Sequence, residues 1–190
     1  MLPEYSDEEE RRLAEQLQSL HDEIELGRHV HRAPSTPYLR ELHRALFLDV
    51  REHAGRIRNN HFGTEYLMFG PNRSVHRSQV PTELEACFEQ VIRSVRSAED
   101  SGGETESYEQ DVLHIAVWAH AEVVRIHPFQ DGNGRTSRLL LDSILVRLGL
   151  NPVPIETAKQ TYCDCLNVYF ARRDIAPLLD LYVDLAVHSM

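Results

Sequence analysis

DVLHIAVWAHAEVVRI, residues 111–126, runs directly into HPFQDGNGRTSR, residues 127–138. At about 100° per residue, Asp111, His114, Glu122 and Arg125 fall on one narrow stripe, and nearly every other position of the first segment is apolar. A helix that is apolar around most of its circumference belongs at the centre of a bundle. Its C-terminal end then carries His127 and the residues after it from the core to a surface cleft, a rigid base for a reactive loop.

Working outward, capping signals mark helices on both sides. Ser6 with Glu9 reads as a capping box, opening a helix to about Leu26 before Gly27. Thr36 followed by Pro37 predicts an N-cap and a helix continuing to Ala54, with Gly55 after it. Thr82 with Glu85 predicts a helix to about Ala98, residues 101–104 a connector, and Ser107 with Gln110 the start of the central helix. A further helix from about Arg135 ends at Gly149, and two more are expected over residues 157–170 and 174–188. Between residues 56 and 81 the helical period fails. There, residues 65–69 and 73–76 flank Gly70, Pro71 and Asn72, which reads as a short hairpin or flap. The fold class is all-α with one small β excursion.

Length and composition narrow the functional classes. A chain of 190 residues, 42% hydrophobic, builds one domain with a real core. No run of about 18 apolar residues is present and the acidic N-terminus carries no apolar stretch, so neither a transmembrane helix nor a signal peptide is expected. The net charge of −10 argues against a sequence-independent grip on nucleic acid. It leaves room for a local cationic pocket, because screening acts over roughly 8–10 Å. Cys163 and Cys165 form a C-x-C pair with no second pair to complete a metal site, so reduced helix residues in a cytoplasmic protein are the expectation.

The chemistry concentrates in residues 127–138. Gly132, Asn133 and Gly134 stand at a helix start, where free N–H groups and the positive end of the dipole bind anions. Arg135 and Arg138, three apart, are placed to share one side of the first turn and suit a polyphosphate. Asp142, four after Arg138, is placed to orient that arginine. Asp131 is a hard carboxylate positioned to hold Mg²⁺ against phosphate oxygens. His127 suits general-base work on a hydroxyl, and Phe129 is expected to point back into the core and pin the loop. Each piece also has a plain structural reading: a helix-start turn, a surface ion pair, a histidine against a helix C-terminus. Their combination within one short stretch points to nucleotide chemistry.

The string resembles the Fic signature H-x-F-x-[D/E]-G-N-G-R-x-x-R, met at every specified position from His127 to Arg138. Glu41-Leu42-His43-Arg44-Ala45-Leu46-Phe47 and Ala54-Gly55-Arg56-Ile57-Arg58 are similar to a second Fic stretch, with His53 where that family usually has Trp. The resemblance covers roughly residues 36–150 and implies a Fic-type helical bundle, with an N-terminal helix and linker over residues 1–35 and the Fic domain over 36–190. It implies that His127 activates a Ser, Thr or Tyr hydroxyl of a target protein, and that Asp131 binds Mg²⁺ on the α- and β-phosphates of ATP. Gly132, Asn133 and Gly134 would then form the anion hole, and Arg135 with Arg138 would hold the β- and γ-phosphates. The product would be an AMP-modified target, docked by strand addition at a flap over residues 65–77.

Four other readings stand beside AMP transfer, one of them de-AMPylation, which relies on the family's inhibitory Glu. Doc-like phosphoryl transfer is disfavoured because Doc-type motifs carry Lys where this chain has Gly134. Phosphocholine transfer leaves the motif intact, and a non-enzymatic nucleotide-binding adaptor would not need His127 and Asp131 together. The family's inhibitory pattern, [S/T]-x-x-x-E-[G/N], has no full copy: Ser19 to Glu23 is followed by Ile24, and Thr105 to Glu109 by Gln110. Inhibition is therefore expected from a separate antitoxin-like partner, in a toxin–antitoxin arrangement. Location is expected to be cytoplasmic or, for a delivered protein, the host cell. Of the remaining polar residues, His120 is expected to be a hydrogen-bonded core histidine. Tyr162, Asn167 and Tyr169 are structural residues that could also approach an adenine.

Overall fold

A computed structural model describes residues 5–102, 107–153 and 159–188. Seven helices are present among them: α1 (Asp7–Glu25), α2 (Thr36–Phe47), α3 (Val80–Ser101), α4 (Tyr108–Ile126), α5 (Asn133–Arg147), α6 (Lys159–Arg172) and α7 (Ala176–His188). One antiparallel hairpin joins β1 (Met68–Phe69) to β2 (Asn72–Arg73), with Met68 opposite Arg73 and Phe69 opposite Asn72. The all-α expectation with a single β flap holds.

The central helix is the one the sequence singles out. α4 packs against α3, α5, α6 and α7, and its buried set runs almost around the circumference, from Val112 and Leu113 to Val124 and Ile126. α3 covers it with a stripe of Leu84, Cys87, Phe88, Val91, Val95 and Ala98, the i, i+3, i+4, i+7 pattern of a one-sided helix. α1 lies across α5 and α2 and buries Leu13, Leu20 and Ile24 against them. Each such aliphatic side chain contributes about 1.5–3 kcal/mol of transfer free energy, so α1 is held as part of the bundle.

Several helix ends depart from the capping signals. The Ser6–Glu9 box forms as read, with both reciprocal bonds present. α2 is capped one residue earlier than expected: Ser35 Oγ accepts the Tyr38 N–H at 3.3 Å. It stops at Phe47 rather than Ala54, because Leu48 turns extended and Asp49 takes a positive φ of 60°. α3 begins at Val80 with Pro81 in its first turn, so Thr82 and Glu85 lie inside the helix and make no cap. At α4, the Ser107 hydroxyl donates to Asp111 instead of accepting from the backbone. α5 starts at Asn133, two residues ahead of the expectation. The residues 157–158 expected to open α6 lie outside the described set, as do parts of the 101–104 connector.

Candidate active site

The end of α4 sets the geometry. His127 is its C-cap, in the left-handed region at φ 55°, which turns the chain sharply out of the helix axis. Its Nδ1 lies 3.1 Å from the Val124 carbonyl. A carbonyl only accepts, so Nδ1 carries the proton and Nε2 keeps the lone pair. Burial pushes the His127 pKa down to about 4, with the Arg58 charge acting in the same direction. The imidazole is therefore neutral at physiological pH and equipped to take a proton.

The loop after it is braced from within. Asn133 closes a pair of hydrogen bonds onto Phe129: Phe129 N–H to Oδ1 at 2.8 Å, and Nδ2–H to the Phe129 carbonyl at 2.9 Å. The Asn133 side chain is thus a buried staple, and its contribution to an anion site is its backbone N–H. Phe129 is fully buried, as expected, and stacks on His43 with ring centroids 3.8 Å apart. His43 receives the Gly55 N–H on Nδ1 at 2.8 Å and faces the Asp131 carbonyl from Nε2 at 3.1 Å. Those two partners fix one tautomer, and burial lowers its pKa to about 4.

Gly132 is required twice over. It has φ 73°, and a Cβ there would stand 2.1 Å from the Phe47 ring. Beyond it, the N–H groups of Asn133, Gly134 and Arg135 precede the first helical bond of α5, from Thr136 N–H to the Gly132 carbonyl at 3.0 Å. They stand free of intrahelical partners at the helix start where the sequence places an anion site. The two arginines do not lie side by side. Arg135 turns toward α2, 5.0 Å from the Phe47 ring centroid, whereas Arg138 turns toward α6, 5.9 Å from that of Tyr162. Arg138 still reaches back to the helix start: a Cβ on Gly134 would be 3.8 Å from its Nη1. It also lines a cleft of about 880 Å³ with His21, Asp142 and Lys159. Asp142 pairs with His21 at 3.2 Å rather than orienting Arg138.

Asp131 is half-buried beside this nest. Its Oδ1 accepts the Gly132 N–H at 2.6 Å and lies 3.7 Å from Arg135. Its Oδ2 accepts the hydroxyl of Tyr5, and Arg135 Nη2 donates to the same hydroxyl at 3.0 Å. A single hard carboxylate beside a helix start fits Mg²⁺ in kind, since phosphate oxygens and water would supply its remaining ligands. Among the described residues no group of three or more His, Cys, Asp or Glu forms a preformed cage, and no helix is long and apolar enough to cross a membrane.

The flap closes over His127. Phe69 of β1 lies face to face with its imidazole, centroids 4.3 Å apart and planes 2° from parallel, and meets Phe170 of α6 edge-on at 5.4 Å. Asn72 of β2 bonds Asn167 of α6 at 2.5 Å. Arg58, fully buried, ties the base of the flap to the end of α4. It donates to the carbonyls of Thr64, Glu65 and Val75 on one side and of Ile126 and His127 on the other.

The residues missed as site residues by sequence reasoning are Tyr5, Phe47, Arg58 and Phe69. Phe47 and Arg58 stand in the second Fic-like stretch, which marks them without revealing their roles. Nothing in the sequence marks Tyr5. Of the residues set aside, His120 is a core histidine bonded to the Tyr162 hydroxyl at 2.7 Å. Tyr169 bonds buried Glu122. Glu23 faces His29 at 3.4 Å.

A loop of this build on an all-α bundle defines a family, and the chain belongs to the Fic/DOC family, whose model matches residues 34–145. It is 41% identical over 80 residues to the protein adenylyltransferase Fic of Culex quinquefasciatus, a stretch that is 42% of this chain and 16% of that protein. Its structure is similar to that of Fic-1 from Caenorhabditis elegans, with a TM-score of 0.70 and 25% identity, over 100% of this chain and 52% of that one. It also resembles BepC of Bartonella tribocorum, solved with bound AMPPNP, with a TM-score of 0.66 and 18% identity, over 92% of this chain and 86% of that one. The chain thus spans only a part of its curated adenylyltransferase relatives.

Proposed function

We propose that this chain is a protein adenylyltransferase, moving AMP from Mg-ATP to a Ser, Thr or Tyr hydroxyl of a target protein. The observation that carries the reading is the His127 tautomer. With Nδ1–H committed to Val124, Nε2 is the basic atom, and it stands just ahead of a helix start whose free N–H groups await an anion.

His127 Nε2 takes the proton of the target hydroxyl as its oxygen attacks the α-phosphorus. One P–O bond forms, the bond from the α-phosphorus to the bridging oxygen breaks, and pyrophosphate leaves. The N–H groups of Asn133, Gly134 and Arg135 stabilise charge on the α-phosphate oxygens, and Arg135 and Arg138 hold the rest of the polyphosphate. Asp131 would hold Mg²⁺, which supplies charge neutralisation on the phosphates. Two features support docking of the target along the hairpin: among the described residues β1 and β2 pair only with each other, and Met68 and Tyr66 are exposed there. What supports AMP over γ-phosphoryl transfer is glycine at 134.

The test uses Mg²⁺ with ATP labelled at either the α- or the γ-phosphate, beside His127→Ala. Label from the α-phosphate only, lost in the variant, is the expected result. Label from the γ-phosphate only would make the chain a kinase, and none from either, to itself or to a lysate, would sink the reading.

A further inference from the structure

Asp131 and Arg135 already hold a ligand, and it belongs to the chain itself. The Tyr5 hydroxyl donates to Asp131 Oδ2 and accepts from Arg135 Nη2 at 3.0 Å. It thus bridges the carboxylate and the guanidinium that a metal-bound phosphate would bridge. Oδ1 is turned into the loop against the Gly132 N–H, so Oδ2 is the oxygen left for an outside partner, and Tyr5 has it. The two bonds are both charge-assisted, the stronger class. From these contacts we infer that Tyr5 is a built-in plug of the nucleotide site, which Mg-nucleotide must displace to bind. This rests on the proposed nucleotide function and names its regulation.

The plug is anchored where the bundle is firm. Tyr5 immediately precedes Ser6, the N-cap of α1, whose reciprocal bonds with Glu9 fix the direction in which the chain enters the helix. Glu9 also accepts from Arg51 Nη1 at 2.7 Å, and the Arg51 guanidinium stacks over the Tyr5 ring at 4.1 Å. Arg135 covers the ring from 5.3 Å. One arginine therefore holds the cap and the aromatic ring together, and a second joins ring and hydroxyl to the motif. The device differs in kind from an inhibitory glutamate. It uses a neutral phenol against the metal carboxylate and the first motif arginine, whereas Glu23 of α1 is turned toward His29. It puts restraint inside the chain, where the sequence points to a separate partner.

Binding of Mg-AMPPNP to the full chain, followed by calorimetry, tests this. Tyr5→Phe keeps the ring between its arginines and removes only the hydroxyl, and it is expected to bind about tenfold more tightly than the wild type. Tyr5→Ala serves as a second variant that also removes the ring, with at least the same gain. Backbone amide exchange at residues 5–12 is expected to speed up when nucleotide is added to the wild type. Equal affinity of wild type and both variants, with binding lost in Asp131→Ala, would overturn the plug and leave the nucleotide site standing. No binding by any variant, including those with the site opened, would overturn the plug and the nucleotide reading together.

Discussion

The Nε of Arg58 lies 2.8 Å from the carbonyl oxygen of His127, the residue whose imidazole the flap covers. The same guanidinium reaches Thr64, Glu65 and Val75 on the flap side, so one side chain sets the distance between the flap and the end of α4. Its acceptors are all carbonyls, and burial lowers its pKa to about 10, which still leaves it charged at neutral pH. Arg58→Met leaves those carbonyls without their donor and is expected to cost about 3 kcal/mol or more in urea unfolding. Arg58→Lys keeps the charge but lacks the planar fork, and should recover less than half of that loss.

The two glycines of the motif should separate stability from binding. At Gly132 an added methyl meets both the positive φ and the Phe47 ring, so Gly132→Ala is expected to lose about 3 kcal/mol or more, or to fail to fold. At Gly134 the methyl would find ordinary contact distance to Arg138. Gly134→Ala should keep or slightly raise the Tm, as alanine does in a helix, while weakening nucleotide binding by crowding the N–H groups. Melting and binding curves for the two variants, run together, check the contrast.

Acid should unfold the chain ahead of its carboxylates. His43 and His127 are held near pKa 4 and His120 near 3, all chiefly by burial. Each is neutral when folded and takes a proton when unfolded below about pH 6.5. Unfolding therefore consumes protons, and stability falls as pH drops from about 6.5 toward 4. On the proposed function, transfer activity should be flat from pH 6 to 8 and decline only toward pH 4, where His127 itself protonates. An activity midpoint near pH 6.5 would contradict the buried base.

Buried Glu122 gathers Arg125, the Tyr169 hydroxyl at 2.5 Å and Arg173 from three places in the chain. Burial pushes its pKa up, but those partners outweigh it and the net shift is downward. Glu122→Gln should cost about 1.5–3 kcal/mol by turning buried charge-assisted bonds into neutral ones, while Arg125 keeps Glu83 at 2.5 Å and Arg173 stays half exposed. Chemical unfolding at pH 7 measures it, and the effect should shrink as pH falls through the carboxylate range.

How much of this the sequence announced depends on how local each signal is. The Ser6–Glu9 box, the apolar girth of α4 and the loop from His127 to Arg138 act over a few residues and were legible. The end of α2 was not, because the apolar pattern runs on past Phe47 while the backbone breaks at Leu48 and Asp49. Thr82 with Glu85 imitates a cap inside a helix that Pro81 has already begun. Asp142 and Arg138 have the spacing of a pair, yet His21 of α1 takes the carboxylate. The contact of Tyr5 with Asp131 spans 126 positions and involves a residue type that marks nothing by itself.

Phe47 and His43 end α2 and press on Phe129 and Gly132, and His43 bonds the Asp131 carbonyl across 88 positions. α4 and α5, by contrast, are consecutive and joined only by the motif loop. Helix pairs of such short sequence separation zip early, while contacts that close long excursions of chain form late. The order of assembly is then helix hairpin first and motif loop last. On gradual denaturation, nucleotide binding at the proposed site should vanish while most of the far-ultraviolet helical signal is still present.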